Sequence, residues 1–232
     1  MPIFRLNNQY IFPPPELAEE SGLLAVGGDL HPERLIAAYK VGIFPWFSDG
    51  DPLLWWFTSP RLVLFPDEFK VPKRVQRYRR NSDVQITFDQ DFERVINACA
   101  NSRIRSGEET WIVEKMKKAY IKLHELGYAH SVECWQEDNL TGGLYGIALD
   151  KVFFGESMFS ERSNSSKFAL IELVSLLKKK DFKLIDCQMT TTHMVSFGAR
   201  EISGKDFQKQ LQLHIENTTP NGYWHNDTQK RT

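Results

Sequence analysis

The stretch LTGGLYGIALDKVFFGESMFS, residues 140–160, decides how this chain folds. Apolar and aromatic residues run on both sides of Asp150 and Lys151. The pattern predicts two strands joined near Leu149–Lys151, although the turn lacks the Asn-Gly pair that most favours hairpins. Its glycines do not have the spacing of a dinucleotide-binding loop, so they read as strand positions with close backbone neighbours.

Working outward, NSSKFALIELVSLLKKK (164–180) predicts a helix with polar cap candidates, an apolar body and lysines in its last turn. FKLIDCQ (182–188) follows as a strand, and SGKDFQKQLQLHIEN (203–217) as a helix opened by a capping-box-like Ser203 and Asp206. Upstream, AHSVECW (129–135) alternates as a strand should. IVEKMKKAYIKLHELG (112–127) places Met116, Tyr120 and Leu123 on one helical face, with Gly127 as its stop. VQITF (84–88) reads as a strand, and DQDFERVINACA (89–100) as a helix opened by Asp89. Strands, then a helix, then a strand imply an α+β fold around a mixed sheet. The N-terminal part differs. PERLIAAYKVG (32–42) predicts a short helix with Pro32 in its first turn and Gly42 past its end. It runs into GIFPWFSDGDPLLWWF (42–57), where turn residues alternate with six large rings. A division near residue 65 separates a small aromatic-rich domain (1–65) from a larger one (66–232).

Composition bounds the function. A 232-residue chain with a formal charge of −1 is no indiscriminate polyanion binder, so any nucleic-acid contact must come from a local patch. Three cysteines without a CxxC pair point to reduced thiols, and the histidines lack metal-ligand spacing. The N-terminus does not resemble a signal peptide, and no apolar run approaches membrane-spanning length; the expectation is a soluble, cytoplasmic protein.

Four features could carry chemistry. Glu156 lies in an apolar strand, with Phe154 and Met158 two positions away on the expected same face, and is costly to bury without a partner. Asp186 and Gln188 are also two apart, so an unbroken strand puts them on one face. These residues make either a buried polar network or a site that works by positioning and hydrogen bonding. The run KVPKRVQRYRR carries Lys70, Lys73, Arg74, Arg77, Arg79 and Arg80, which form either a solvated face or a track for a phosphate backbone. The rings of residues 42–57 are either core or a platform for an unpaired base.

In order along roughly residues 20–207, GLLAVGGDL, AAYKVGIFPWF, PLLWWFTSPR, ETWI, HELGYAHSVE, GGLYGIA, FFGESMFS, KLIDCQ and HMVSFGAREI resemble the leucyl/phenylalanyl-tRNA–protein transferase family. GIFPWF and GESMFS carry most of the specificity. The resemblance implies an acetyltransferase-like (GNAT-like) mixed-sheet domain behind a small N-terminal domain. It implies transfer of Leu or Phe from Leu-tRNA or Phe-tRNA to the amine of proteins beginning with Arg or Lys, marking them for degradation, with no cofactor, metal or membrane. It also implies roles. Asp186, Gln188 and Glu156 would serve catalysis, with Asp186 polarising Gln188. Leu144, Phe153, Met158, Leu170, Leu173, Leu177 and Ile185 would line the donor side-chain pocket. Trp46 and Trp111 would meet the terminal adenosine, while Trp55 and Trp56 fill the seam between domains. One tension stands: strict alternation puts Ile185 opposite Asp186 and Gln188, so the strand must bend or end there, or Ile185 belongs to the core. Two rivals remain at this level. A CoA-dependent N-acetyltransferase should show a (Q/R)xxGx(G/A) turn, which is not found here. A non-catalytic RNA-binding module leaves the three polar residues without purpose.

Overall fold

In a computed structural model, which describes residues 3–105 and 110–224, the chain builds two sheets. The smaller joins β1 (Phe4–Leu6), β2 (Leu23–Gly27), β4 (Leu54–Trp56) and β3 (Phe44–Pro45) in the order β1-β2-β4-β3, with α1 (Pro32–Lys40) between β2 and β3 in sequence. The Gly42 backbone has φ +81°, a left-handed conformation that suits glycine and ends the helix run.

The larger sheet uses β5 (Arg61–Leu64), β6 (Gln85–Phe88), β7 (Ala129–Gln136), β8 (Asn139–Leu149), β9 (Val152–Ser160), β10 (Leu184–Gln188) and β11 (Arg200–Ile202), in the order β11-β5-β10-β9-β8-β7-β6. Residues 140–160 form the hairpin β8–β9, as the sequence implies. Strand β10 lies parallel to β9 and antiparallel to β5, which makes the sheet mixed. Because β5 pairs here, sheet membership changes just before Arg61, a few residues ahead of the division expected near 65.

Two apolar layers cover this sheet. On one side α3 (Phe92–Arg105), α4 (Glu114–Glu125) and α1 pack with Tyr145, Phe154 and Phe159. On the other, α5 (Ser165–Lys179) packs with Leu144, Phe153 and Ile185. The apolar body of α5 explains its place, since eight of its residues are buried. Short helices α2 (Lys73–Arg80), α6 (Thr192–Val195) and α7 (Gly204–His214) complete the fold. The Ser203 cap of α7 is formed as expected, its hydroxyl accepting from the Asp206 N–H.

Asp89 does not open α3. Asp91 does so, its carboxylate accepting from the Arg94 N–H. Asp89 instead accepts from His130 Nδ1 (2.8 Å) and from the Trp224 N–H (2.7 Å). Trp224, fully buried, stacks on His130 with ring centroids 3.8 Å apart and also meets Phe153. Trp55 is fully buried in the apolar cluster that takes residues from both sheets, with Phe12 against its ring, and Trp56, half-buried against the same cluster, donates to the Trp46 carbonyl.

Candidate active site

The site lies where β9 and β10 part. They pair only from Val152 to Phe154 against Leu184 to Asp186, while β9 continues to Ser160 along β8. Below that point the gap is a cavity of about 390 Å³, lined by Gly155–Met158 of β9 and Ile185–Gln188 of β10. Phe44, Pro45 and Trp46 line it from the smaller sheet, and Leu170 and Leu173 from α5.

Each strand carries a bulge at the gap. Opposite the step from Gly146 to Tyr145, β9 advances two residues, from Gly155 to Ser157, so Glu156 is the extra residue. Opposite the step from Val63 to Leu62, β10 advances from Asp186 to Gln188, so Cys187 is extra. Bulges re-aim side chains and strengthen local twist, and they recur beside functional sites. Here the first reverses the alternation: Phe154 packs on the α3 side, but Met158 packs against the α5 cluster. Glu156 and Met158 therefore do not share one face as simple alternation implies. The second bulge also answers the tension at Ile185. Gln188 has φ +57°, the strand ends there, and Ile185 and Gln188 line the same cavity.

Six of the seven expected pocket residues, Leu144, Phe153, Met158, Leu170, Leu173 and Ile185, line the cavity. Leu177 does not; it is buried in the core beneath α5. Trp46, 38% exposed, and the half-buried Trp111 both border the opening. His193 lines it as well, with burial holding its imidazole below the usual value.

The polar side is built from five elements. Asp186, fully buried, accepts from Arg61 Nε (2.8 Å) and Nη2 (2.6 Å) and from the Gln188 backbone N–H (2.9 Å). Arg61 is itself held between the rings of Phe44 and Phe207. Asp186 thus reaches Gln188 through the main chain. The Gln188 side chain is oriented by Glu156 instead: its Nε2 donates to Glu156 Oε1 at 3.0 Å. Glu156 Oε1 also accepts from Tyr39 Oη of α1 (2.8 Å), and Oε2 lies within hydrogen-bonding reach of Tyr120 Oη of α4 (3.1 Å). Burial pushes the Glu156 carboxyl up to about 7, against the lowering effect of the two tyrosine bonds, and it pushes both phenols well above their usual value.

Sequence reasoning missed Arg61, Tyr39 and Tyr120 as site residues. Arg61 had a signal, a lone cation beside the apolar run LVLF. Tyr120 read only as part of one helical face and Tyr39 only as a position in a short helix, because a helical face shows burial and not what the hydroxyl meets.

The basic run divides. Lys70, Lys73, Arg74, Arg77 and Arg80 are exposed on or beside α2, whereas Arg79 is buried with Val75 and donates to Glu172 of α5 (2.8 Å). Arg79 is thereby removed from the exposed basic face.

Comparisons with known proteins cover most of the chain. Residues 63–212 match the family model described as leucyl/phenylalanyl-tRNA protein transferase, and residues 28–59 match that family's N-terminal domain. A leucyl/phenylalanyl-tRNA–protein transferase of Desulfotalea psychrophila is 57% identical over 97% of this chain and 99% of its own length. One from Desulforapulum autotrophicum is 54% identical over 97% and 98%. A solved PaiA N-acetyltransferase of Thermoplasma acidophilum, in complex with coenzyme A, overlaps 44% of this chain and 76% of its own, with a TM-score of 0.35 and 16% identity.

Proposed function

This chain belongs to the leucyl/phenylalanyl-tRNA protein transferase family, and on that premise we propose how its cavity carries out aminoacyl transfer. The enzyme moves leucine or phenylalanine from the 3′ end of tRNA to the amino terminus of a protein. Its acceptors begin with Arg or Lys, the product is a degradation signal, and the work is done in the cytoplasm. No helix among the described residues is long and apolar enough to cross a membrane.

One observation carries this reading: a single cavity joins an apolar wall of Leu144, Phe153, Met158, Leu170, Leu173 and Ile185 to a fixed Gln188 amide. The apolar wall takes the donor side chain, and Met158 adapts to either shape. Trp46 and Trp111 receive the terminal adenosine. Exposed Lys70, Lys73, Arg74, Arg77 and Arg80 follow the tRNA backbone.

An aminoacyl ester is already activated, so the remaining tasks are alignment and proton removal. With an α-amine pKa of about 7.7–8.0, on the order of a tenth of the acceptor is neutral at pH 7. The neutral nitrogen attacks the ester carbonyl, the new N–C bond forms, and the C–O bond to the ribose breaks. Because Gln188 Nε2 is committed to Glu156, the amide oxygen is the atom left to accept a hydrogen bond from the amine. An amide is too weak a base to keep the proton, which ends on the departing ribose oxygen. Arg61 and Asp186 hold the backbone from which Gln188 projects.

The test combines purified protein, labelled Leu-tRNA and a peptide beginning with Arg, with and without ribonuclease. Label should reach the peptide only with intact tRNA, and Gln188→Ala should slow transfer by about 100-fold with little change in tRNA affinity. Peptide acetylation from acetyl-CoA, or tRNA binding without transfer, would overturn the reading.

A further inference from the structure

Around Glu156, three oxygen–oxygen pairs lie within hydrogen-bonding reach, but only two phenolic hydrogens are there to fill them. Tyr39 Oη meets Glu156 Oε1, Tyr120 Oη meets Oε2, and the two tyrosine hydroxyls bond to each other. Each phenol has one hydrogen to donate. An ionised carboxylate would leave one of these pairs with two lone pairs facing and no hydrogen between them. Tyr39 and Tyr120 are almost wholly buried and Glu156 is 8% exposed, so such a pair would be poorly relieved by solvent.

We propose that the missing hydrogen is on Glu156, so that the carboxyl, Tyr120 and Tyr39 form a closed hydrogen-bonded ring around a neutral acid. Oε2–H donates to Tyr120, Tyr120 donates to Tyr39, and Tyr39 donates to Oε1. This direction fits the neighbouring amide, because Oε1 is then the carbonyl oxygen and accepts from Gln188 Nε2 as well. Circulating the ring the other way would put the acid hydrogen on the oxygen that already accepts from Gln188.

Of the neighbouring charges, Asp186 of β10 favours the neutral acid, and Arg61 of β5, which opposes it, is committed to Asp186; Tyr145 of β8 adds a buried hydroxyl with no hydrogen-bond partner among the described residues, and Arg103 of α3 lines the cavity. Burial raises the Glu156 carboxyl in the same direction. Tyr39 and Tyr120 are positioning residues. They fix which Glu156 oxygen is the carbonyl, and so which end of the Gln188 amide faces the cavity. That role rests on the transferase reading; the ring itself does not.

Infrared difference spectra of the substrate-free protein against Glu156→Gln test the ring. At pH 6 a protonated-carboxyl band should be present, fade as pH rises through about 7, and move to higher wavenumber in Tyr39→Phe, where the carbonyl is left with one donor fewer. A carboxylate signal alone at pH 6, or a band unmoved in Tyr39→Phe, would overturn it. For the role in transfer, Glu156→Gln keeps a neutral amide in the ring and should lose less than about tenfold, whereas Glu156→Ala should lose more than about 100-fold. Equal losses would overturn that role. The infrared measurement needs no tRNA, so failure of transfer by the unaltered protein would remove the transferase reading and leave the ring standing.

Discussion

On one strand of the cavity, Asp186 meets the two nitrogens of Arg61 and a backbone N–H. On the neighbouring strand, Glu156 meets two phenols and an amide, and no lysine or arginine among the described residues bonds to it. Both carboxyls are buried, but only the first has its charge matched by an opposite one. A carboxylate locked to a guanidinium is a fixed scaffold, because protonating it would strand the partner charge. A carboxyl surrounded by hydroxyls has its charge controlled by a proton, and can respond to what enters the cavity. The contrast separates the part of the site that holds shape from the part that can change state.

The largest effect that could break this contrast comes from Arg61→Leu. It leaves Asp186 buried and unpaired, and should cost about 3–5 kcal/mol in denaturant unfolding. A loss below about 1 kcal/mol would mean Asp186 is no scaffold. Glu156 should act in the opposite sense. Its folded pKa is raised from 4.5 to about 7, so the folded state holds the proton more tightly than the unfolded chain. Its stabilising contribution is full below about pH 4.5 and is lost as pH rises to about 7, a change of about 3 kcal/mol. Unfolding curves across that range, compared with Glu156→Gln, should show the decline in the unaltered protein and a flatter profile in the variant. An identical slope in both would place the carboxyl's proton elsewhere.

Two smaller effects sharpen the comparison away from the carboxyls. Met158→Ala enlarges the apolar wall and should shift donor preference towards Phe by roughly 1–3 kcal/mol in competition between the two charged tRNAs. An unchanged ratio would assign Met158 to packing alone. On α2, Arg77→Ala should weaken tRNA binding and flatten its log–log salt dependence by about 0.7–0.9 for each phosphate no longer neutralised. Arg79→Leu, on the buried face of the same helix, should lower the melting temperature and leave that salt slope intact, because Arg79 is spent on Glu172.

Much of this architecture was legible in residues 129–188, where periodicity marks the strands and a long helix in the right order. The failures share a cause. Alternation assumes an unbroken pleat, and the extra residues at Glu156 and Cys187 cancel it where the site forms. Asp89 looked like a helix cap because local sequence offers it that role, yet His130 and Trp224 claim it from far along the chain. Leu177 and Arg79 show the same limit. A pattern of apolar or basic residues gives the face of a helix, and only packing decides which members reach a cavity or solvent.

Trp224 gives the fold a temporal side. Phe153 presents one surface to the cavity and another to the Trp224 ring, which also covers His130 and Phe182. A ribosome delivers the chain from its amino end, and domains begin to fold as they emerge. The hairpin that supplies Phe153 therefore emerges well before the Trp224 ring that meets it. Until residue 224 has cleared the exit tunnel, Phe153 lacks one of the rings that back it, and a nascent chain carries Glu156 and Gln188 before the cavity wall is complete.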